Sequence, residues 1–286
     1  MALRWRDYGP PPGGGSPQAA TPEGTVVYAI GDIHGCADLL HEILDGVRGD
    51  ASRRPARRHV LVVLGDYASR GPRNRAVIDT LMAPGLPGFE MVALKGNGED
   101  AMLRYLDGDL SIGAHWFDYG GDTFLADYGL AVPVRPVRRA QDLEALRWRA
   151  DELPDYGVGL PGLAGQDVPA IEALRCDLEA TLAGSHLDFF RGLRVFHREG
   201  GYLFVHAGIV PGLPLDEQPE RDCMWIRRRF LDSELDHGAV IVHGHSISAE
   251  PQVRANRIGI DTGAYQTGVL TCLVLDGEER DFLQTA

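Results

Sequence analysis

Five times along this chain a run of apolar, β-favouring residues stops at a short polar motif flanked by glycine, and that repetition restricts the fold more than any other feature. The first run, residues 25–30, is followed by a helical pattern over 37–47 with apolar residues at turn spacing. The same order of strand, loop and helix recurs with 59–64, 65–71 and 74–82, and again with 89–94 leading into 99–106. Strands alternating with helices make a sheet covered by helices. Polar motifs at the carboxyl ends of such strands lie where open α/β sheets gather their ligand sites.

The second half reads differently. From 133 to 191 the chain is charged and helix-favouring but interrupted by Pro154, Gly157, Gly159, Pro161 and Gly162, which suggests a helical insertion or cap. Strands resume over 201–205, 239–242, 257–260 and 269–275 without long helices between them, so antiparallel strands and a second layer of sheet are expected. The expected fold is α/β: a two-layer β-sandwich of mixed sheets flanked by helices, in one domain over 25–286. Residues 1–24, which include Pro10-Pro11-Pro12-Gly13-Gly14-Gly15-Ser16, are expected to be a disordered tail without the features of a secretory signal.

Composition narrows the partners. A net charge of -13 opposes general nucleic-acid or anionic-membrane binding, both of which need a positive field. No apolar run approaches the roughly 20 residues of a membrane span. The one dense basic run, Arg53-Arg54-Pro55-Ala56-Arg57-Arg58-His59, falls between a helix and a strand and reads as a solvated loop. Cys36, Cys176, Cys223 and Cys272 lie far apart, giving neither a zinc ribbon nor a disulfide framework, and a reducing cytoplasm is the expected location.

The five motifs are Gly31-Asp32-Ile33-His34-Gly35, Gly65-Asp66-Tyr67, Gly96-Asn97-Gly98-Glu99, His206-Ala207-Gly208 and His243-Gly244-His245-Ser246. Carboxylate, imidazole and amide oxygen suit divalent ions such as Mn, Fe, Zn or Co, and no motif contains cysteine. Any one of them alone is better explained as a turn or a hydrogen-bonded strand end. Five in order, each closing a strand, point to one site suited to divalent metal.

This ordered set resembles the calcineurin-like metallophosphoesterases, in particular the phosphoprotein-phosphatase branch and its bacterial members, whose motifs read GDxHG, GDxxDRG, GNHE, a strand-end histidine and a late GH. Gly120-Gly121-Asp122-Thr123, Trp225-Ile226-Arg227 and Ile260-Asp261-Thr262-Gly263 extend the likeness. The resemblance implies Asp32 and His34 as ligands of the first metal, Asp66 as the bridge, and Asn97, His206 and His245 as ligands of the second, with His243 the competitor of His245. It implies two divalent ions, manganese foremost, that clamp a phosphoryl oxygen and acidify a water for in-line attack on phosphorus. Arg70 matches the phosphate-clamping arginine, because a planar fork fits phosphate. Arg227 is the second candidate, beside Arg228 and Arg229, which read as surface residues. Asp261 is either an orienting group or a turn-former.

Two positions depart from the pattern. Ser69 stands where the family has an aspartate, and Gly98 where it has the histidine proposed to protonate the leaving group. General acid catalysis contributes roughly 10²- to 10⁴-fold, and most to poor leaving groups. Three accounts compete: His115, His237 or His243 donates the proton instead, although His115 beside Trp116 suits ordinary packing; the substrate has a good leaving group; or the chain is a weakened phosphate binder. The resemblance puts first a phosphatase acting on phosphomonoesters in proteins or small molecules, with serine and threonine phosphates included. Hydrolysis of a dinucleoside polyphosphate anhydride is the alternative, and a pseudoenzyme the third reading.

Overall fold

The computed structural model describes residues 3–8, 19–54, 56–132 and 167–286. Two sheets form a sandwich. The first, six-stranded, has the order β1-β11-β10-β2-β3-β4, from Arg4–Arg6 (β1), Glu279–Gln284 (β11), Thr271–Asp276 (β10), Thr25–Ile30 (β2), Arg58–Val63 (β3) and Phe89–Ala93 (β4). The second runs β5-β6-β7-β9-β8, from Phe196–Glu199, Tyr202–Val205, Val240–His243, Arg257–Gly259 and Gln252–Val253.

Alternation along the strands creates the layers, because successive side chains in a strand point to opposite faces. In β2, Val27 and Ala29 face the second sheet, while Val26, Tyr28 and Ile30 face the helices. In β7, Val240 and Val242 meet the first sheet, and Ile241 packs outward with Cys223, Ile226 and Phe230. Helices α1 (Ala37–Ala51) and α2 (Asn74–Met82) cover the outer face of the first sheet. Their buried residues fall at turn spacing: Leu40, Ile43, Leu44 and Val47 in α1, then Val77, Ile78 and Leu81 in α2. Each such side chain, fully buried, contributes roughly 1.5–3 kcal/mol relative to exposure.

The second sheet differs from expectation at its centre. β6 pairs with β7, and β7 with β9, in parallel; only the edge strands β5 and β8 run antiparallel. The segments between β6 and β7 and between β7 and β9 exceed a dozen residues, long enough to bring the chain back in the same direction. β10 then returns to the first sheet antiparallel to β2, and β11 pairs antiparallel with β10 on its other side.

The tail also differs. Arg4–Arg6 pairs antiparallel with β11, Tyr8 Oη donates to Gln284 at 2.9 Å, and Ala19 and Thr21 are buried, so residues 1–24 are not disordered throughout. The physical reason lies in β11, whose outer edge would otherwise present unpaired amides and carbonyls. The proline- and glycine-rich stretch falls outside the described residues, as does 133–166 of the expected insertion. The rest of that insertion forms two helices after α3 (Asn97–Leu106), α4 (Leu110–Trp116) and α5 (Asp122–Asp127). These are α6 (Val168–Thr181) and α7 (Gly184–Arg191), which bury Ile171, Leu174, Leu178 and Phe190 in the same core as α1 and α2.

Candidate metal centre

The five motif loops emerge from the same end of the two sheets. The first two are laced by backbone hydrogen bonds: the amides of Ile33 and His34 donate to Asp66 O, and that of Gly35 to Tyr67 O. Gly244 N donates to His206 O at 2.8 Å and ties the fourth loop to the fifth. Gly244 is obligatory here, because a Cβ would lie 2.0 Å from Asp32 Oδ1.

These loops hold unusual backbone. Among the described residues, the non-glycine residues at positive φ are His34 (46°), Asp66 (50°), Ser69 (76°), Arg70 (65°) and His245 (62°). All five lie in the loops that carry the motifs, Ser69 and Arg70 just after Gly65-Asp66-Tyr67. Such conformations cost of order 1 kcal/mol or more and persist only where surrounding contacts enforce them. At Arg70 the enforcement is visible: its amide donates to Gly120 O at 3.1 Å, and a Cβ on Gly120 would meet Arg70 N at 2.6 Å.

Six residues expected as ligands converge. One ligand atom each from Asp32, Asp66 and His206 lie within 4.8 Å of one another. His34 Nε2 is 3.5 Å from Asp66 Oδ2, and His206 Nε2 is 3.7 Å from Asp66 Oδ1, which puts Asp66 between the two halves of the cluster. His206 Nε2 also lies 3.0 Å from Asn97 Oδ1 and 3.2 Å from His245 Nδ1. Outer partners orient the rings: His206 Nδ1 sits 2.9 Å from Leu64 O and His34 Nδ1 3.3 Å from Ala68 O, which directs each Nε2 inward. Asp32 accepts from His245 N at 3.1–3.2 Å.

His243 does not join them. It continues the outward face of β7, stacks edge-on against Phe230 at 5.2 Å, and its Nδ1 lies 3.0 Å from Gly244 O. His237 lies beside Phe230 and Asn256, and the His115 ring rests 4.3 Å from Tyr119. Arg228 and Arg229 are exposed, and Arg227 lies near enough for its charge to lower the pKa values of His206 and His245. Asp261 fits the turn-former expectation. It accepts from Gly263 N at 2.9 Å, as a turn-former does, and its charge also raises the pKa of Asp32.

The electrostatics suit a cation. Burial lowers His34 to about 3 and holds His206 and His245 below their ordinary value, so these imidazoles are neutral. Burial, then the charges of Asp261 and Asp66, pushes Asp32 upward, and burial raises Asp261 to about 6. Burial also opposes ionisation of Asp66, but His206, His34 and the Gly98 amide bring it below the ordinary carboxylate value. Crowded buried carboxylates among neutral imidazoles leave negative charge that a divalent ion would neutralise. His245 Nε2 is buried without a hydrogen-bond partner. The donor set therefore fits divalent metal.

Two contributors escaped the sequence reading. Glu99 accepts from the amides of Asp66 (2.8 Å), Tyr67 (2.9 Å) and Gly96 (3.0 Å), clamping the second loop to the third. Burial and the Asp66 charge push its carboxyl up to about 8, while these three amides pull the other way. The match of Gly96, Asn97 and Glu99 to three of the four positions of its motif was the available signal. The other is Tyr265, in the short helix Ala264–Thr267, whose ring meets His34 edge-on at 5.2 Å.

A family model described as calcineurin-like phosphoesterase matches residues 25–262. A symmetrical bis(5'-nucleosyl)-tetraphosphatase of Nitrosospira multiformis is 25% identical over 91% of this chain and 95% of its own length. An asymmetrical one from Anoxybacillus flavithermus is 27% identical over 85% of this chain and 88% of its own. A solved structure provisionally described as a diadenosine tetraphosphatase superposes with a TM-score of 0.53 at 16% identity, covering 93% of this chain and 99% of the other, which supports the fold alone.

Proposed function

This chain belongs to the calcineurin-like phosphoesterase family as a metal-dependent hydrolase, and from that premise we propose that it cleaves phosphoanhydrides of the dinucleoside polyphosphate class. The observation carrying this reading is the pair Ser69 and Gly98. Neither side chain supplies a proton, and a Cβ on Gly98 would lie 3.7 Å from Ser69 Oγ, so the two positions adjoin beside Asp66. A nucleotide leaving through its phosphate departs as a stable anion and needs no acid, unlike a serine or threonine alkoxide. The full-length likeness to two bis(5'-nucleosyl)-tetraphosphatases supports the same reading.

Asp32 and His34, with Asp66 shared, would hold one divalent ion; Asn97, His206 and His245, again with Asp66, would hold the other. When bound, such a pair polarises a phosphoryl oxygen and lowers the pKa of a water, and manganese fits the nitrogen and oxygen donors. The chain contributes the rest. Arg70 and Arg227 bind non-bridging oxygens and stabilise the charge that grows on them, and the buried neutral imidazoles stay available as donors at neutral pH.

The test supplies manganese and compares diadenosine tetraphosphate, an aryl phosphate and a phosphoserine peptide. The anhydride is expected to give the highest kcat/KM and the peptide the lowest. A phosphopeptide turned over best would overturn the reading in favour of a protein phosphatase. Identifying the nucleotide products, two ADP or AMP with ATP, assigns the cleaved bond, on which the two relatives differ by name.

A further inference from the structure

Arg70 does not stand alone at the site. Its Nη1 donates to Tyr265 Oη, and its guanidinium carbon lies 4.8 Å from the centre of the Tyr265 ring. The phenol is itself held, because Gln266 Nε2 donates to the same oxygen. The tyrosine ring rests on His34, so one side chain touches both the candidate phosphate clamp and the candidate metal cluster. Meanwhile Arg70 Nε is buried without a hydrogen-bond partner. A buried guanidinium donor left unmade is costly unless a ligand completes it.

From these contacts we infer that Tyr265 is a positioning residue that sets the direction of Arg70. By holding Nη1, with its ring centre 4.8 Å from the guanidinium carbon, it leaves the remaining edge of the fork, Nε with Nη2, to face a phosphate, which is the edge that binds two oxygens at once. Arg70 sits at a φ of 65°, so its backbone is fixed and the side chain is the remaining freedom to be restrained. The inference rests on Arg70 being the phosphate clamp, and it assigns Tyr265 no contact with the reacting atoms.

The experiment is a double-mutant cycle on the full chain reconstituted with manganese, reading inorganic phosphate affinity by titration calorimetry, with bound metal measured for each variant. Tyr265→Phe keeps the ring against Arg70 and His34 and removes only the hydroxyl. It is expected to weaken phosphate about tenfold, as loss of a hydrogen bond to a charged group does, with metal content unchanged. In an Arg70→Ala background the same substitution is expected to have no further effect, because the two residues act through one contact. Unchanged phosphate affinity in Tyr265→Phe, or the same loss with and without Arg70, would overturn the inference while leaving the proposed function standing. Wild-type protein that holds manganese but no phosphate would instead overturn the proposed function, and this inference with it.

Discussion

The Cβ that Gly98 lacks would lie 3.7 Å from Ser69 Oγ and 3.1 Å from Asp66 Oδ1, so the two departures from the family pattern occupy a single pocket beside the candidate bridging carboxylate. Gly98 is not at positive φ, and a side chain there requires Asp66 to give by only a few tenths of an ångström. Ser69 sits at a φ of 76°, which aspartate tolerates well. The double change Ser69→Asp with Gly98→His is therefore expected to fold, and to raise kcat on a phosphoserine peptide by roughly 100-fold or more. Aryl phosphate should gain far less. Equal gains on both substrates would show that the pair does not act as a leaving-group acid.

Asp66 lies between His34 and His206, at 3.5 and 3.7 Å. Asp66→Asn should lower metal content, measured by elemental analysis after gel filtration, below two ions per chain. Activity should fall by more than the roughly 10- to 100-fold that loss of an outer partner costs. Full occupancy in this variant would contradict the bridging role.

Glu99 acts one step out, through three backbone amides. In Glu99→Gln one oxygen becomes an amide NH2 facing those donors, which should destabilise the fold by about 2 kcal/mol in urea unfolding. Manganese affinity should drop by roughly 10- to 100-fold, because the second loop is no longer held to the third. A stability loss with metal affinity intact would reduce Glu99 to a structural clamp.

His243 supplies a pH test away from the cluster. Burial lowers its pKa to about 4, so the folded chain leaves it neutral at pH values where the unfolded chain, near 6.5, protonates it. The unfolded state then binds more protons, and stability rises with pH between about 4 and 6.5. On acidification from pH 7 to 5 the wild type should lose about 2 kcal/mol more than His243→Gln, compared by denaturant unfolding. Parallel losses would mean that His243 accepts its proton in the folded state.

How much of this was written in the sequence depends on range. The apolar runs and their glycine stops gave β2, β3, β4 and β10 to within two residues, because alternation and turn chemistry are local, but did not reveal β11. The choice between His243 and His245 was also open to local reasoning: Val240 and Val242 face the first sheet, so His243 must face away, and only the turn at His245 brings a side chain back. Arg4–Arg6 could not be found this way, since three residues carry no periodicity and their pairing depends on the far end of the chain. The parallel centre of the second sheet was likewise decided by long connections rather than by strand composition. Tyr265 escaped because its partner, Arg70, stands 195 positions earlier.

That the candidate ligands come from both sheets has a consequence during synthesis. Asp32, His34, Asp66 and Asn97 precede His245 by about 150 residues or more, and at 5–20 residues per second that interval is on the order of ten seconds. Through it the newborn chain carries Asp32, His34, Asp66 and Asn97 without His206 and His245, the two imidazoles that follow strands of the second sheet. The candidate site is therefore completed late, when the second sheet closes on a first half already made.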